Sequence, residues 1–314
     1  MTPLATQQYD HNIFCLDAEY VRPGLASCYL IEENGHAVLI DTGTVYTVPA
    51  ILKLLEQRNI ALENVDYIIP THVHLDHAGG AGELMHLLPN AQLLVHPRGA
   101  RHMVDPSKLQ AGASAVYGEA EFRKHYGDLT PIPKDRVSSP EHGETIDFQG
   151  RPLTFLHTPG HAKHHLCIID PTSDGMFTGD TFGVAYPELS DGSTPYIFPP
   201  SSPVDFDPEH WLASIDMLMA TNSAYAYLTH YGRVENLQLL ANTLRVMIKD
   251  FANFAITSNS PAELEKTISN YMLNGVFAGS CPLSEADAKE VLEIDIDLIT
   301  QGLGVWIEKK RKKA

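Results

Sequence analysis

The chain has 314 residues and a formal net charge of −17, with 44% hydrophobic and 19% charged residues. These proportions supply enough apolar material for a large core, and the negative charge disfavours nucleic acid as a partner because phosphate groups would be repelled. No apolar run approaches the roughly 20 residues of a membrane helix. The start, MTPLATQQYDHN, does not resemble a signal peptide. The sequence therefore predicts a cytoplasmic protein with no membrane partner.

Strands and helices alternate over the first two thirds of the chain. An amphipathic helix is predicted after Thr47, and a second helical stretch around Lys108–Tyr126. Apolar runs bounded by turn residues predict strands between them, and several of these strands end in His or Asp. The predicted strands cover residues 27–34, 36–41, 65–70, 152–157, 165–170, 175–180 and 224–230.

The last eighty or so residues have the apolar spacing of helices only. An apolar stripe predicts a first helix, a Ser-x-x-Glu capping box at Ser260 begins a second, and Ser284 begins a third that Gly302 is expected to end. These helices carry no cluster of metal-binding residue types. We therefore predict two regions, a catalytic domain over 1–232 and a helical extension over 233–314 that braces the domain or supports a homodimer.

The stretch THVHLDHAGG, which follows a predicted buried strand, places four metal-ligand side chains within six positions. In an extended segment residues i and i+2 point the same way, so His72 and His74 can face one point. A turn after them brings Asp76 and His77 round to a second point. Buried together without a cation, these groups would be costly to remove from water. The pattern indicates two metal ions rather than one.

Three further strand ends supply the same residue types. His161 follows a Pro-Gly turn, Asp180 follows a glycine and His230 precedes one. Together with the first four residues they make five imidazoles and two carboxylates without a thiolate, which suits Zn²⁺, Fe²⁺ or Mn²⁺. We predict two divalent metal ions as cofactors and favour zinc over iron and manganese. The remaining histidines nearby are interpreted as supporting or surface residues: His157, His164 and His165.

The spaced set H-x-H-x-D-H, G-H, G-D-T and a last His resembles the metallo-β-lactamase superfamily, from LIDTG at Leu39–Gly43 to THYG at Thr229–Gly232. The resemblance implies an α/β fold: a four-layer αββα sandwich of two mixed sheets with helices outside, here with an added C-terminal helical region. It also implies the role of each ligand, namely His72, His74 and His161 on one metal, Asp76, His77 and His230 on the other, Asp180 bridging, and Asp41 orienting ligands.

The chemistry that this ligand set favours is metal-assisted hydrolysis. Two divalent cations that share a water molecule lower its pKa and supply a bridging hydroxide, and they polarise the oxygen of the group under attack. Asp76 could also pass a proton to the leaving group, while Asp180 serves both ions. These two carboxylates are the predicted catalytic residues.

The substrate is expected to be a small ester, lactone or thioester, because the chain is most similar to the glyoxalase II and lactonase branches of the superfamily. After His230 there is Arg233 but no compact basic cluster to hold the carboxylates of a glutathione thioester. Two alternatives stay open within the same fold: a non-haem iron oxidoreductase such as a persulfide dioxygenase, and a phosphodiesterase, which the acidic charge opposes. A non-catalytic scaffold is disfavoured by the intact ligand set.

A proline-rich loop, Phe182–Phe206, begins two residues after Asp180, so its first part is expected near the metals. Its aromatic side chains could pack against an acyl chain or ring, and a phenol could donate a hydrogen bond to a carbonyl oxygen. We expect the loop to cover the site, with substrate contacts from Tyr186, Tyr196 and Phe198.

Overall fold

The computed structural model describes residues 6–192, 194–202 and 205–312, except for the side chains of residues 116 and 117. Packing divides the chain into two compact units. The first comprises Met1–His157 and His164–Gly179, and the second comprises Thr158–Lys163 and Asp180–Ala314. The predicted boundary after residue 232 stays a prediction, since a division by packing does not locate a catalytic domain.

A seven-stranded mixed sheet, with its strands in chain order, runs through the first unit. The first four strands pair antiparallel and the last four pair parallel, sharing the fourth strand. Its central strands are apolar and buried, as is typical of strands covered on both faces. The strands are β1 Gln7–Tyr9, β2 Ile13–Asp17, β3 Ser27–Glu33, β4 His36–Ile40, β5 Val65–Ile69, β6 Gln92–Leu94 and β7 Val137–Ser138.

Six helices of the first unit lie between these strands in sequence. Leu39 and Ile68 from the sheet join Ile51, Leu54 and Leu84 from the helices in one buried apolar cluster. The predicted helical stretch over residues 108–126 is two helices, because the chain adopts a φ of +84° at Gly118 between them. The helices are α1 Val48–Gln57, α2 Leu75–Ala78, α3 Ala81–Leu87, α4 Pro97–Val104, α5 Ser107–Tyr117 and α6 Glu119–Tyr126.

A second set of strands in the first unit pairs antiparallel in the order β11-β10-β9-β8: β8 Thr145–Phe148, β9 Arg151–His157, β10 Leu166–Asp170 and β11 Gly175–Gly179. Tyr29 of β3 packs edge-on against Phe177 of β11, with ring centroids 5.3 Å apart, so the two sheets meet through apolar faces. The buried Arg151 donates from Nε to Asp170 Oδ1 at 3.0 Å and from Nη1 to the His11 carbonyl at 2.7 Å.

The second unit is mainly helical. Its strands β12 and β13 pair antiparallel, and its last three helices contact one another. Ser260 and Ser284 cap two of these helices by accepting from Glu263 N and Asp287 N, as the sequence predicts. The elements are α7 Pro208–Met219, β12 Tyr225–Leu228, β13 Gly232–Val234, α8 Leu237–Thr257, α9 Pro261–Ala278 and α10 Glu285–Arg311. The homodimer stays a prediction.

The prediction that Gly302 ends the third C-terminal helix is wrong. Helix α10 continues through Gly302 to Arg311. A Cβ atom at residue 302 would lie 2.3 Å from Ser201 Oγ and 2.4 Å from the Ser202 carbonyl oxygen. The glycine therefore permits a close approach of helix and loop, and it does not act as a stop.

The α/β fold class is confirmed, with two sheets, flanking helices and a C-terminal helical region. The predicted strands are also present, within one or two residues at their ends. Among the described residues, no helix is both long and apolar enough to cross a membrane.

Candidate metal centre

A short link between β5 and α2 carries the first two candidate ligands. His72 Nε2 and His74 Nδ1 lie 2.7 Å apart, so these two nitrogens face one point. His72 is fully buried, and its ring centroid lies 4.0 Å from that of His77. Two nitrogens bound at about 2.1 Å to a tetrahedral zinc stand about 3.4 Å apart. The pair therefore needs to open by less than about 1 Å to hold one ion.

Asp41 follows β4 and fixes the orientation of the link and of α2. It is fully buried in a left-handed conformation with φ of +57°. Its Oδ1 accepts from Thr71 N at 2.7 Å, and its Oδ2 accepts from His77 Nδ1 at 2.9 Å. Because Nδ1 of His77 carries the proton, Nε2 keeps the lone pair that a metal requires.

Helix α2 holds Asp76 and His77 side by side, with Asp76 Oδ2 3.7 Å from His77 Nε2. The His77 side chain is fully buried, whereas that of Asp76 is 21% exposed. Asp76 is therefore the member of this pair that solvent can reach.

The two glycines after α2 let the motif approach the loop after β4. A Cβ at Gly79 would lie 3.2 Å from the Gly43 carbonyl oxygen, and one at Gly80 would lie 2.8 Å from that of Thr44. The His77 carbonyl accepts from Thr42 N at 2.7 Å across this contact. Side chains at either glycine would push α2 away, so these two residues are part of the architecture of the motif.

In the second unit, Asp180 places one carboxylate oxygen near each of two imidazoles. Its Oδ2 lies 3.3 Å from His161 Nε2, and its Oδ1 lies 3.6 Å from His230 Nε2. The opposite nitrogen of His161, Nδ1, donates to the Pro200 carbonyl at 3.0 Å, which leaves Nε2 with its lone pair. A carboxylate with a different imidazole at each oxygen is suited to bridge two ions.

Helix α7 anchors the turn that presents His161. Gly160 has a φ of +144°, and a Cβ there would lie 2.4 Å from the Trp211 Cα. Its carbonyl accepts from Asp207 N at 2.9 Å, and the indole of Trp211 packs edge-on against the His161 ring at 5.6 Å. The Pro-Gly turn is thus held in a conformation that only glycine tolerates.

The donor set fits divalent metal ions. In each unit, histidine and carboxylate groups present ligand atoms to one another. Hydrogen bonds from Nδ1 of two rings, His77 and His161, leave the lone pair on Nε2, the ligand atom. Imidazole and carboxylate donors without thiolate match Zn²⁺, Fe²⁺ and Mn²⁺. Burying such groups is costly without a cation to hold them. The residues that could serve as ligands are His72, His74, Asp76 and His77 in the first unit, and His161, Asp180 and His230 in the second.

Further histidines line the first-unit ligands. His165 stacks on His72 with centroids 4.8 Å apart, and His164 Nδ1 accepts from Val73 N at 3.4 Å. His96 lies against His157 at 4.3 Å, and burial, followed by the charge of His157, lowers the pKa of His96 to about 4. Sequence reasoning missed His96, although it follows β6 just as the candidate ligands follow other strands.

The aromatic residues of the 182–206 segment are packed inside the second unit. Tyr186 is 3% exposed and donates to Asp295 Oδ1 of α10 at 3.2 Å. Phe198 is fully buried, and the Tyr196 ring lies against it at 5.9 Å. Burial also raises the pKa of Tyr196. The predicted substrate contacts of these three residues stay a prediction, and the segment is described here without residues 193, 203 and 204.

Three known proteins illustrate the relationships of this chain. It is 29% identical over 177 residues to the metallo-beta-lactamase fold-containing protein ST1585 of Sulfurisphaera tokodaii, and the match covers 55% of this chain and 63% of the relative. A match to hydroxyacylglutathione hydrolase of Methylobacillus flagellatus, 28% identical over 173 residues, covers 52% of this chain and 51% of the relative. A match to atrochrysone carboxyl ACP thioesterase of Passalora fulva, 27% identical over 158 residues, covers 49% of this chain and 37% of the relative. The matches thus span less than two thirds of each relative.

The crystal structure of archaeal ST1585 superposes with a TM-score of 0.65 at 22% identity, covering 94% of this chain and 99% of that one. At this identity the likeness establishes the fold alone. The Lactamase_B family, described as the metallo-beta-lactamase superfamily, matches residues 21–230, more than half of the chain. The chain therefore belongs to the metallo-beta-lactamase superfamily.

Proposed function

We propose that the chain is a metal-dependent hydrolase that opens a small ester, lactone or thioester with two divalent ions. The observation that carries the proposal is the Asp180 carboxylate, whose two oxygens lie 3.3 Å from His161 Nε2 and 3.6 Å from His230 Nε2. One carboxylate so flanked can serve two ions at once, which a mononuclear site does not require. Superfamily membership supports the same interpretation.

Under this proposal each ion takes three ligands besides the shared Asp180. His72, His74 and His161 would hold one, and Asp76, His77 and His230 would hold the other. Bound divalent ions would lower the pKa of a coordinated water and polarise the substrate carbonyl. Asp41, through His77 Nδ1, keeps the ring in the tautomer that binds metal.

Asp76 has the exposure that proton transfer needs. Its side chain is 21% exposed beside the fully buried His77. We assign one of its carboxylate oxygens to accept a proton during attack and to return it to the departing alcohol or thiol. The buried Asp180 would serve as a ligand of both ions.

A thioester is the first substrate class to test. Hydroxyacylglutathione hydrolase and atrochrysone carboxyl ACP thioesterase are among the similar proteins, and the names of both describe thioester or acyl-carrier chemistry. The guanidinium of Arg233 lies 4.4 Å from the centre of the Tyr225 ring. Because Arg233 contacts Tyr225 and has no basic residue beside it in the sequence, we favour an acyl thioester whose thiol portion does not depend on a basic cluster.

The test is a hydrolysis screen on protein reconstituted separately with zinc, iron and manganese. Thioesters, lactones, aryl esters and phosphodiesters form the panel, and oxygen consumption with a glutathione persulfide tests the oxidoreductase alternative. We expect elemental analysis to find two metal ions per chain. We also expect a higher kcat/KM on a thioester, lactone or aryl ester than on any phosphodiester.

Asp180→Ala is expected to lose activity together with at least one ion. Wild-type protein that is active with a single ion would overturn the dinuclear assignment. Oxygen consumption without hydrolysis, or a preference for phosphodiesters, would replace the proposed reaction by one of the alternatives.

A further inference from the structure

Helix α10 contacts, at separate points, the segments that support two of the proposed metal ligands in the second unit. We propose that α10 positions His161 and His230, with Gly302 and Asp295 as the positioning residues. The inference rests on the proposed function, because it concerns how ligands of that site are held. It extends the expectation that the C-terminal helices merely brace the domain.

The first contact is made by the backbone of α10 at Gly302. A Cβ at this position would lie 2.3 Å from Ser201 Oγ and 2.4 Å from the Ser202 carbonyl oxygen, so helix and loop touch directly. The residue before this contact is Pro200, whose carbonyl accepts the His161 Nδ1 proton at 3.0 Å. A shift of the loop away from α10 would therefore move the acceptor that orients His161.

A row of aromatic rings makes a second connection between α10 and His161. Trp306 packs edge-on against Phe206 at 5.5 Å, and Phe206 packs against Trp211 at 6.1 Å. Trp211 in turn packs against the His161 ring at 5.6 Å and donates from Nε1 to the Thr181 carbonyl at 2.7 Å. These ring contacts hold one side of the His161 imidazole, while the hydrogen bond to Pro200 holds its Nδ1.

The third contact leads from Asp295 to His230. Asp295 is 8% exposed and accepts a hydrogen bond from the Tyr186 hydroxyl at 3.2 Å. The adjacent residue, Ala185, donates its N–H to the His230 carbonyl at 2.5 Å. Asp295 thus holds Tyr186, whose neighbour Ala185 holds the backbone of His230.

Gly302 and Asp295 are poor choices for a helix whose only role is packing. Glycine inside a helix loses stability relative to alanine, and a buried carboxylate must be removed from water. At residue 302 a methyl group would also collide with Ser201 and Ser202, so only glycine lets the helix and this loop approach so closely. The presence of Gly302 and Asp295 is explained if α10 sets the geometry of specific partners, because metal ligands must be held within about 0.5 Å of their binding geometry.

The test compares Gly302→Ala with Gly304→Ala in zinc-loaded, full-length protein. Gly304 lies on the same helix, and a Cβ there would meet nothing within 4 Å. We expect Gly302→Ala to release zinc to a chromophoric chelator about tenfold faster, as when partners of metal ligands are removed. In spectra of ¹⁵N-histidine protein the His161 Nδ1 proton should shift or exchange faster. Gly304→Ala should match wild type within twofold.

The second arm compares Asp295→Ala, which removes the acceptor, and Tyr186→Phe, which removes the donor, with Asp297→Ala. Asp297 is exposed on the same helix and accepts only from Gln301 in the described contacts. Both test variants should accelerate zinc release and shift the His230 ring resonances, leaving those of His161 in place. Asp297→Ala should do neither. If Gly302→Ala does not fold, this arm decides the proposal by itself.

The outcomes separate this inference from the proposed function. Wild-type protein that binds no metal would refute the function. A different result would refute only the positioning role of α10. In that case wild-type protein binds two ions and hydrolyses a substrate, but the folded test variants release zinc as slowly as the controls. Resonance shifts confined to His161 in the first arm and to His230 in the second would support it.

Discussion

Replacing Asp41 by Asn should weaken metal binding without removing any proposed ligand. The two side chains have the same shape, but one oxygen becomes an NH₂ group. Asp41 Oδ1 faces the Thr71 N–H at 2.7 Å, and Oδ2 faces the His77 Nδ1 proton at 2.9 Å. Whichever way the amide turns, its NH₂ meets a donor, so one hydrogen bond is lost and the other loses its charge.

Two independent estimates give the size of the effect. A hydrogen bond to a charged group contributes about 1.5–3 kcal/mol. Mutating a partner of a metal-ligating histidine typically lowers metal affinity by about 10–100-fold, which is about 1.4–2.8 kcal/mol. Because Asp41 is fully buried, water cannot replace the missing acceptor. We therefore expect the zinc affinity of Asp41→Asn to fall by one to two orders of magnitude.

The assay is competition for zinc with a chromophoric chelator, and Asp17→Asn is the matched control. Asp17 is 2% exposed and accepts two backbone hydrogen bonds at 2.7 Å, from Glu19 N and Gly24 N, but contacts no proposed ligand in the described hydrogen bonds. It should lose thermal stability and keep its zinc affinity. The reasoning fails if Asp41→Asn binds zinc within threefold of wild type, or if both variants lose affinity equally.

Three further changes test other parts of the structure. Arg151→Met should lower the free energy of unfolding, measured in urea, by about 3–5 kcal/mol, because it removes the cation that pairs with the buried carboxylate of Asp170. Arg58→Met is the control. It breaks a partly exposed ion pair and should lower the free energy of unfolding by less than about 1 kcal/mol. Since the folded pKa of His96 is about 4 and its reference value is 6.5, the unfolded state binds more protons between these values, and stability falls as pH drops through them. His96→Asn, which can still cap α4, should flatten the fall of Tm over that window, while the exposed His11→Asn should not. Finally, the Tyr196 hydroxyl is buried without a hydrogen-bond partner among the described residues, so Tyr196→Phe should keep or raise Tm, and a fall of several degrees would reveal a partner.

The sequence predicts what local pattern determines. Strands such as Val65–Ile69 are recognisable from five adjacent residues, and the Ser260 cap from four. The candidate ligands are recognisable for the same reason, since His72, His74, Asp76 and His77 are neighbours in the chain.

What escapes prediction depends on contacts distant in sequence. Gly302 looks like a helix stop because the sequence does not reveal Ser201, a hundred residues earlier, against its backbone. Likewise, Tyr186 looks like a free loop aromatic until Asp295 of α10 is found at its hydroxyl. His96 was missed because it has no second ligand-type residue beside it.

The short segment Thr158–Lys163 has a consequence for the order in which the chain can fold during synthesis. It lies between β9 and β10 in sequence but packs with the second unit. Its anchors come later: Asp207 N binds the Gly160 carbonyl, and Ser214 Oγ binds that of Pro159. At about 5–20 residues per second, the roughly 50 residues between segment and anchor take about 3–10 s to translate. During that interval the turn that contains His161 has been synthesised but the residues that anchor it have not. This turn can therefore reach its final conformation only after α7 has been translated, later than the strands on either side of it.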